Sequence, residues 1–232
     1  MNIACIIPAR GGSKGIPNKN IYDFAGKPLI YWSIKQALAS SMINCGVYVS
    51  SDSDDILDLS QQFGAQSIRR PDDLSTDFST SESALIHAQN EIAKTYAIDA
   101  IIFLQATSPL REPDDLDQGI QQFQEQGIDS LFSSTELEDF FIWTQLDNRL
   151  ESLNYDYHNR KRRQDVQKQY VENGSFYIYK PKPMIEQKNR LCGKIGQYIM
   201  KPWTVYEIDS MEDLELCEFL FKKNKLDGGN ER

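Results

Sequence analysis

The sequence predicts an α/β fold in which helices flank a doubly wound, mostly parallel sheet. Short apolar runs alternate along the chain with longer amphipathic segments. The apolar runs end in turn-forming or polar residues, which is typical of strands buried on both faces of a sheet. Strands that alternate with helices in this way indicate parallel strand pairing.

The alternating part of the chain contains five predicted strands and four predicted helices. We expect the strands over residues 3–8, 46–51, 65–70, 99–106 and 129–134. We expect the helices over residues 27–41, 53–64, 80–97 and 113–127. Pro28 suits the first turn of the first helix, Gly64 ends the second, and Ser81 is a candidate N-cap of the third.

The alternation stops after Ser134, where an aromatic and charged stretch without clean helical periodicity begins. We interpret residues 1–232 as a single domain that carries an insertion at 135–190. Residues 174–180 alternate like an antiparallel strand, 195–200 and 204–208 have the pattern of strands, and 210–224 that of a closing helix. Because so aromatic an insertion needs a surface to pack on, we expect a second copy there and hence a homodimer.

Composition and charge exclude several classes of function. The formal net charge of -9 argues against nucleic-acid binding, because contacts to phosphate backbones need a positive surface. No apolar run approaches the roughly 18 residues that span a bilayer, and the N-terminus lacks the pattern of a secretory signal, so we expect a cytoplasmic protein without membrane contact. The four cysteines are far apart, which favours buried thiols over disulfides.

The opening loop, within "IIPARGGSKGIPNKN" at 6–20, combines glycines with cations in an acidic protein. Gly11 and its neighbouring glycines allow backbone amides to turn towards phosphate oxygens, and Arg10, Lys14 and Lys19 supply positive charge. The alternative is a surface turn with solvated cations. The spacing matches neither G-x-G-x-x-G nor the G-K-[ST] of a P-loop, so neither of those nucleotide motifs applies.

Three polar segments follow predicted strands: "ARGGSKGIPNKN", "SSDSDD" and "QATSPLR". Ligands in open parallel sheets bind beyond the carboxyl ends of the strands. The three segments are therefore expected to meet at one edge of the sheet and to form a ligand site there.

The opening loop resembles the signature of the CMP-sialic acid synthetases, also called N-acylneuraminate or nonulosonate cytidylyltransferases. The similarity continues through "FGAQSIRRP", "LQATSPLR", "RKRRQD", "YVENGSFYI" and "EIDSMEDLEL", in the order found in that family. The resemblance implies a Rossmann-like nucleotidyltransferase fold and a reaction in which the anomeric hydroxyl of a nine-carbon acidic sugar attacks the α-phosphate of CTP. The products are a CMP-sugar and pyrophosphate, and the implied cofactor is Mg²⁺.

The resemblance also implies a set of CTP-binding residues. Lys19 is the member expected to stabilise charge that develops during the reaction. Taken without the family, Ser79 and Ser81 have the pattern of loop residues and a helix cap. The implied CTP-binding set is Arg10, Gly11, Lys14, Lys19, Asn20, Arg70, Ser79 and Ser81.

For the sugar, the resemblance implies contacts from Gln105, Arg163 and Tyr177. Arg160 and Arg163, in "NRKRRQD", are implied to serve catalysis and to hold the sugar carboxylate, which suits the forked guanidinium group. The residues alone leave a solvated charge run or a basic targeting patch as alternatives. Some relatives carry an arginine where this chain has Val171.

The metal is expected at Glu207 and Asp209, because in relatives two carboxylates separated by one residue follow a late strand and face the same side. The common family pattern has aspartate at the first position, so Glu207 departs from it. The alternative role of Asp209 is a helix N-cap, with Glu212 completing a capping box.

Two other functions stay open beside the cytidylyltransferase. A glycosyltransferase is suggested by the "DSD" triplet at Asp52–Asp54, although a helix N-terminus explains the same residues. A catalytically silent nucleotide-binding protein is suggested by Glu207 and Val171. Within the cytidylyltransferases, we expect N-acetylneuraminic acid, its deaminated relative or legionaminic acid ahead of pseudaminic acid and the eight-carbon acid of lipopolysaccharide.

Overall fold

Eleven strands and six α-helices form in the described part of the chain, which in this computed structural model comprises residues 1–13, 15–137 and 140–227, with Arg163 described by its backbone alone. The strands are β1 (Ile3–Pro8), β2 (Asp23–Phe24), β3 (Lys27–Pro28), β4 (Val47–Ser51), β5 (Gln66–Arg69), β6 (Ala100–Leu104), β7 (Ser130–Glu136), β8 (Trp143–Leu146), β9 (Arg149–Ser152), β10 (Tyr170–Tyr179) and β11 (Ile195–Ile199). The helices are α1 (Leu29–Ala39), α2 (Asp54–Gln62), α3 (Ser81–Ala93), α4 (Asp115–Gln126), α5 (Pro181–Gln187) and α6 (Met211–Lys223).

Seven of these strands form the central sheet, in the order β11-β7-β10-β6-β1-β4-β5. The β6-β1-β4-β5 half is parallel, and β11 is parallel to β7. Strand β10 lies between β7 and β6 and is antiparallel to both. The mostly parallel sheet confirms the predicted fold class, and β10 contains the segment predicted to be antiparallel.

Apolar side chains of the strands alternate between two cores, one on each face of the sheet. Ile3, Cys5 and Ile7 face the core that includes residues of α1 and α4, whereas Ala4 and Ile6 face the core that includes residues of α3. Strand residues alternate in this way because successive side chains point to opposite faces. Helices on both faces explain why the strand sequences are continuously apolar.

The segment 204–208, predicted as a strand, does not form one. A short 3-10 helix occupies Pro202–Val205, and extended backbone without ladder pairing follows it. Pro202 begins this turn, since a fixed φ suits the first helical position and the missing N–H is not needed there. Glu207 and Asp209, which follow this turn, therefore lie on a loop and not on a strand.

The predicted insertion 135–190 includes two different kinds of structure. Its last part contributes β10 to the central sheet, and α5 follows. Between β7 and β10, the separate β8–β9 hairpin leaves the central sheet.

Within the part of the chain that the structure describes, none of the helices has both the length and the hydropathy of a membrane span. Each of the four cysteines is a buried free thiol, as predicted.

Candidate active site

The opening loop follows β1, and its described cations Arg10 and Lys19, together with the Gly11 amide, lie against carboxylates. Nη1 of Arg10 lies 3.1 Å from Oδ1 of Asp77. The Gly11 amide donates to Oδ1 of Asp52 at 2.9 Å. Nζ of Lys19 donates to Oδ1 of Asp209 at 2.7 Å. The loop is therefore a set of inward-facing donors whose partners are anionic, which is the chemistry that a phosphate would also satisfy.

Two features fix the conformation of this loop. Asn20 is buried, and its side-chain amide donates to the carbonyl oxygen of Arg10 at 3.0 Å. A Cβ atom on Gly15 would collide with the carbonyl oxygen of Asp209. Gly15 is thus required for the close approach of the opening loop to the segment that contains Asp209. Lys19 contacts the same segment, because its Nζ donates to the Ile208 carbonyl oxygen at 2.7 Å.

A cleft of about 620 Å³ lies beside the loop, beyond the carboxyl ends of β1 and β6. This is the edge where the sequence predicts a ligand site. The cleft brings together seven of the predicted site residues from five separate parts of the chain. They are Arg10, Lys19, Asn20, Ser81, Gln105, Tyr177 and Asp209.

A smaller cavity of about 320 Å³ adjoins the cleft at Arg10 and Ser81 and contains Arg70 and Ser79. Arg70 is buried, donates to the Ser50 carbonyl oxygen at 2.5 Å, and has its pKa lowered by burial. The predicted N-cap of α3, Ser81, is wrong by one residue. Thr80 is the N-cap, because its hydroxyl accepts a hydrogen bond from the Ser83 amide. The Ser81 side chain is therefore free of the capping role and lines both cavities.

At the other end, a cavity of about 220 Å³ adjoins the cleft at Gln105, Glu172 and Tyr177. The Tyr177 hydroxyl donates to Oε2 of Glu172 at 3.0 Å. Burial, and then the negative charge of Glu172, raise the pKa of Tyr177, so the phenol stays protonated. Nε2 of Gln105 donates to Oε2 of Glu207 at 3.4 Å.

The two predicted metal ligands lie at the junction of the loop and this cavity. Burial raises the pKa of Glu207, the nearby charge of Asp209 raises it further, and Lys19 opposes both effects. The pair is a source of hard oxygen ligands whose mutual repulsion a cation would relieve. Among the described residues, however, no group of three or more His, Cys, Asp or Glu side chains is arranged as a metal site.

The capping role proposed for Asp209 belongs to its neighbour. Ser210 is the N-cap of α6, and its capping box is completed by Asp213 instead of Glu212. The predicted box is therefore wrong by one residue. Because Ser210 performs the capping, the carboxylate of Asp209 is available to face Lys19 and the cleft.

Among the described side chains of the arginine-rich segment, Arg160 and Lys161 lie outside this cleft. Arg160 lines a separate cavity of about 500 Å³ near the β8–β9 hairpin, where its guanidinium carbon lies 4.1 Å from the centre of the Phe141 ring. Within one chain, the Arg160 side chain therefore lines that cavity and not the cleft, because it folds with the insertion, and its implied role in catalysis stays a prediction. Lys14 and the side chain of Arg163 lie outside the described residues, so their predicted roles stay predictions.

Two arginines that sequence reasoning did not place are important to the site. Arg111 is 1% exposed and donates to the carbonyl oxygens of Gln105 and Ser175, at 2.8 and 2.5 Å. It therefore joins the loop after β6 to β10. Arg190 lines the cleft itself. The motif "QATSPLR" contains Arg111, although sequence alone also allows a helix-capping cation at that position, whereas no motif marks Arg190.

The "DSD" triplet is explained by local structure. Asp52 accepts the Gly11 amide hydrogen bond, Ser53 is the N-cap position of α2, and Asp54 lies in the first turn of that helix. Acidic residues are stabilising at a helix N-terminus. This arrangement supports the opening loop and offers no observation in favour of a glycosyltransferase.

The sheet topology and the loop-lined cleft at its edge define a nucleotidyltransferase fold, and solved structures show the same architecture. CMP-2-keto-3-deoxy-manno-octonic acid synthetase, solved with CTP, superposes with a TM-score of 0.71 at 17% identity, covering 97% of this chain and 100% of that one. The 4-diphosphocytidyl-2C-methyl-D-erythritol synthase of Anaerococcus prevotii gives 0.66 at 12% identity, covering 95% and 98%.

Sequence comparison identifies the family. A family model described as cytidylyltransferase matches residues 4–228. The pseudaminic acid cytidylyltransferase of Campylobacter jejuni is 34% identical, over 97% of this chain and 98% of its own. The N-acylneuraminate cytidylyltransferase of Oncorhynchus mykiss is 38% identical, over 94% of this chain and 50% of its own. The chain therefore belongs to the cytidylyltransferase family, which confirms the resemblance noted in the sequence.

Proposed function

We propose that this enzyme transfers CMP from CTP to the anomeric hydroxyl of a nonulosonic acid and releases pyrophosphate. The observation that carries the proposal is the cleft, which places Arg10 and Lys19 together with Gln105 and Tyr177. Cations at one end suit the triphosphate, and polar and aromatic groups at the other suit a sugar. The names of the relatives, which act on pseudaminic and N-acylneuraminic acids, support the same substrate class.

The nucleotide is proposed to occupy the opening loop and the adjoining cavity. Arg10, the Gly11 amide and Lys19 would exchange their present carboxylate partners for phosphate oxygens. Asn20 holds the loop that carries them. We assign the base and ribose to the cavity lined by Arg70, Ser79 and Ser81, which is continuous with the phosphate end through shared residues.

In the reaction, the anomeric oxygen attacks the α-phosphorus of CTP. A new phosphorus–oxygen bond forms, the bond to the bridging oxygen of the β-phosphate breaks, and pyrophosphate leaves with the bonding electrons. The hydroxyl releases its proton to solvent water as the new bond forms. Lys19 neutralises charge on the phosphate oxygens, and such positioning and charge stabilisation supply most of the catalysis in phosphoryl transfer.

The sugar is proposed to lie between Gln105 and Tyr177, with Arg163 assigned to its carboxylate. Phe103 and Tyr177 supply an aromatic wall, their rings stacked with centres 5.5 Å apart. N-acetylneuraminic and legionaminic acids are the substrates that we favour. Pseudaminic acid enters the test on equal terms, because the relative named for it matches this chain over nearly its whole length.

Mg²⁺ is proposed to bind Asp209, with Glu207 contributing directly or through water. Both carboxylates are oxygen ligands of the kind that Mg²⁺ prefers, and Glu207 has a raised pKa that a neighbouring cation would lower. The ion would neutralise phosphate charge. Glu207 and Asp209 would orient it, and Lys19, which contacts Asp209, would remain beside the phosphates.

We further propose a cytoplasmic homodimer that is built through the insertion. Around the β8–β9 hairpin, large apolar side chains are exposed: Phe140, Leu150 and Leu153 have 67%, 67% and 64% of their surface accessible. Clustered exposed apolar groups of this kind mark interfaces. A catalytic role for Arg160 stays a prediction and requires that a second copy bring this segment to the cleft. Sedimentation should give twice the chain mass of 26.6 kDa.

The activity is tested by pyrophosphate release from CTP and Mg²⁺ with a panel of nonulosonic acids. The panel contains N-acetylneuraminic acid, its deaminated relative, legionaminic acid and pseudaminic acid, with the eight-carbon acid of lipopolysaccharide as a size control. We expect release with at least one nine-carbon acid and little with the control. Folded protein that releases no pyrophosphate with any of the acids would defeat the proposal.

A further inference from the structure

Arg190 lies at the sugar end of the cleft, between α5 and β11, and its guanidinium covers an aromatic pair. The pair consists of Phe103 on β6 and Tyr177 on β10, which are register partners and whose rings are within 15° of parallel. The guanidinium carbon is 5.0 Å from the centre of the Phe103 ring and 4.8 Å from that of Tyr177. At such distances a planar guanidinium is attracted to ring faces, so its orientation is fixed.

A second contact holds the same guanidinium from the side. Nε of Arg190 donates to Oε1 of Glu82 at 2.7 Å, and the two side chains are only 17% and 21% exposed. Glu82 lies in the first turn of α3. Among the described residues, the Arg190 side chain makes this one hydrogen bond, which uses one of its five N–H donors. The donors on the two Nη atoms remain for a ligand in the cleft.

The surrounding charges indicate what kind of ligand group fits. Glu82 balances Arg190, and Glu172, which accepts the Tyr177 hydrogen bond, adds a second carboxylate beside the same ring. The side of the cleft formed by Glu82, Glu172 and Arg190 therefore carries a net negative charge, and it does not attract a further carboxylate. A neutral oxygen acceptor can receive the Nη–H donors without that repulsion. The cations Arg10 and Lys19, which lie near the opening loop, suit anionic groups better.

We propose that Arg190 is a specificity-determining residue, which donates hydrogen bonds to a neutral exocyclic oxygen of the sugar, such as an acylamino carbonyl. The proposal rests on the proposed function, since it names the residue that reads a substituent of the same acidic sugar. Phe103 and Tyr177 hold the guanidinium flat, and Glu82 sets its direction along the wall.

Arg190→Ala tests the proposal, with the acid that the wild-type enzyme turns over as substrate. We expect the KM for the sugar to rise roughly 10- to 100-fold, as for loss of a charge-assisted hydrogen bond, while the KM for CTP changes less than about twofold. Arg190→Lys keeps the ion pair with Glu82 but loses the planar fork, and we expect it to retain the defect. Arg69→Ala, which removes an exposed arginine outside the cleft that pairs with Asp54, is the control and should resemble wild type.

An analogue with hydroxyl in place of the acylamino group, measured as substrate or competitive inhibitor, separates a neutral acceptor from the carboxylate. Arg190→Ala should weaken this analogue less than the parent acid. An equal loss for both, a parallel rise in the KM for CTP, or wild-type kinetics in Arg190→Lys overturns the proposal. Urea melts of each variant identify losses that are due to unfolding. Failure of the wild-type enzyme with every acid would instead count against the proposed function.

Discussion

The strand-end edge of the central sheet and the β8–β9 hairpin are both rich in aromatic and basic residues, yet they use them differently. At the sheet edge, Phe103 and Tyr177 are buried and support polar groups in a shared cleft. At the hairpin, Phe140 and Leu150 stay exposed, and Arg160 stacks on a local aromatic ring. Composition alone therefore does not define a site, since the sheet edge gains its geometry from buried supports, whereas the described residues of the hairpin are largely exposed.

The largest expected effect concerns one such support, Arg111. Arg111→Ala would remove the shortest hydrogen bonds to the buried carbonyl oxygens of Gln105 and Ser175, at 2.8 and 2.5 Å, and would open a cavity. In the described part of the chain, only longer bonds of 3.3 to 3.5 Å to these two oxygens would remain. We expect the free energy of unfolding to fall by about 3–5 kcal/mol. The matched control is Arg149→Ala in β9, an exposed arginine whose loss should cost less than about 0.5 kcal/mol. Urea melts measure both values. If the two variants lost equal unfolding free energy, the sheet edge would not be more firmly supported than the hairpin.

The next effect is catalytic. Lys19→Ala should lower kcat by at least about 100-fold, because it would remove the charge that we propose to lie beside the phosphates. Arg10→Ala should act in the same direction. Lys27→Ala, which removes an exposed lysine that lies over the Tyr31 ring, provides the control and should leave turnover near wild type. Undiminished turnover in both Lys19→Ala and Arg10→Ala would refute the assignment of the opening loop.

The next effect is a pH dependence of the free energy of unfolding, which is expected from Asp115 in α4. Burial raises the pKa of Asp115 to about 6, and the Tyr198 hydroxyl donates to it at 3.1 Å. Because the folded-state pKa lies above the unfolded value, the folded chain holds this proton more tightly. The stability that the group contributes is present at low pH and lost as the pH rises through about 6.

Asp115→Asn tests this sign. The difference in unfolding free energy between the variant and the wild type should increase in favour of the variant by about 2–3 kcal/mol from pH 4 to pH 7. Denaturant melts at several pH values give the two curves. Curves that stay parallel over this range would show that Asp115 has no raised pKa in the folded protein.

The smallest effect is expected in the hairpin. Leu150→Ala should change the unfolding free energy of the isolated chain by less than about 0.5 kcal/mol, since its side chain is 67% exposed. If the hairpin forms the dimer interface, the same variant should weaken self-association measured by sedimentation. A loss above about 1 kcal/mol at concentrations where the chain is monomeric would mean that the hairpin is packed as firmly as the sheet edge.

The sequence predicts the sheet edge well because local patterns determine it. Continuous apolar runs identify β1, β4 and β6 as buried strands, and parallel strands bring the polar loops after them to one edge. Arg10, Lys19 and Gln105 meet there for that reason. Charge and glycine content then indicate an anion-binding loop without any knowledge of tertiary contacts.

The remaining parts depend on packing between distant segments, which a local pattern does not encode. Arg190 enters the cleft because β11 and α5 return the chain past the Phe103–Tyr177 pair. Arg111 could equally cap a helix on sequence alone, yet it is buried and donates to four acceptors in the folded chain. The position of Arg160 depends on how the insertion folds, and the basic motif around it does not predict that fold.

A structure determined with CTP bound would show which of the two regions holds the triphosphate, because both offer cations to it. We expect phosphate oxygens within hydrogen-bonding distance of Arg10, the Gly11 amide and Lys19, with the cytosine towards Arg70. A triphosphate seated instead against Arg160 and Lys161, in the cavity beside the hairpin, would contradict it.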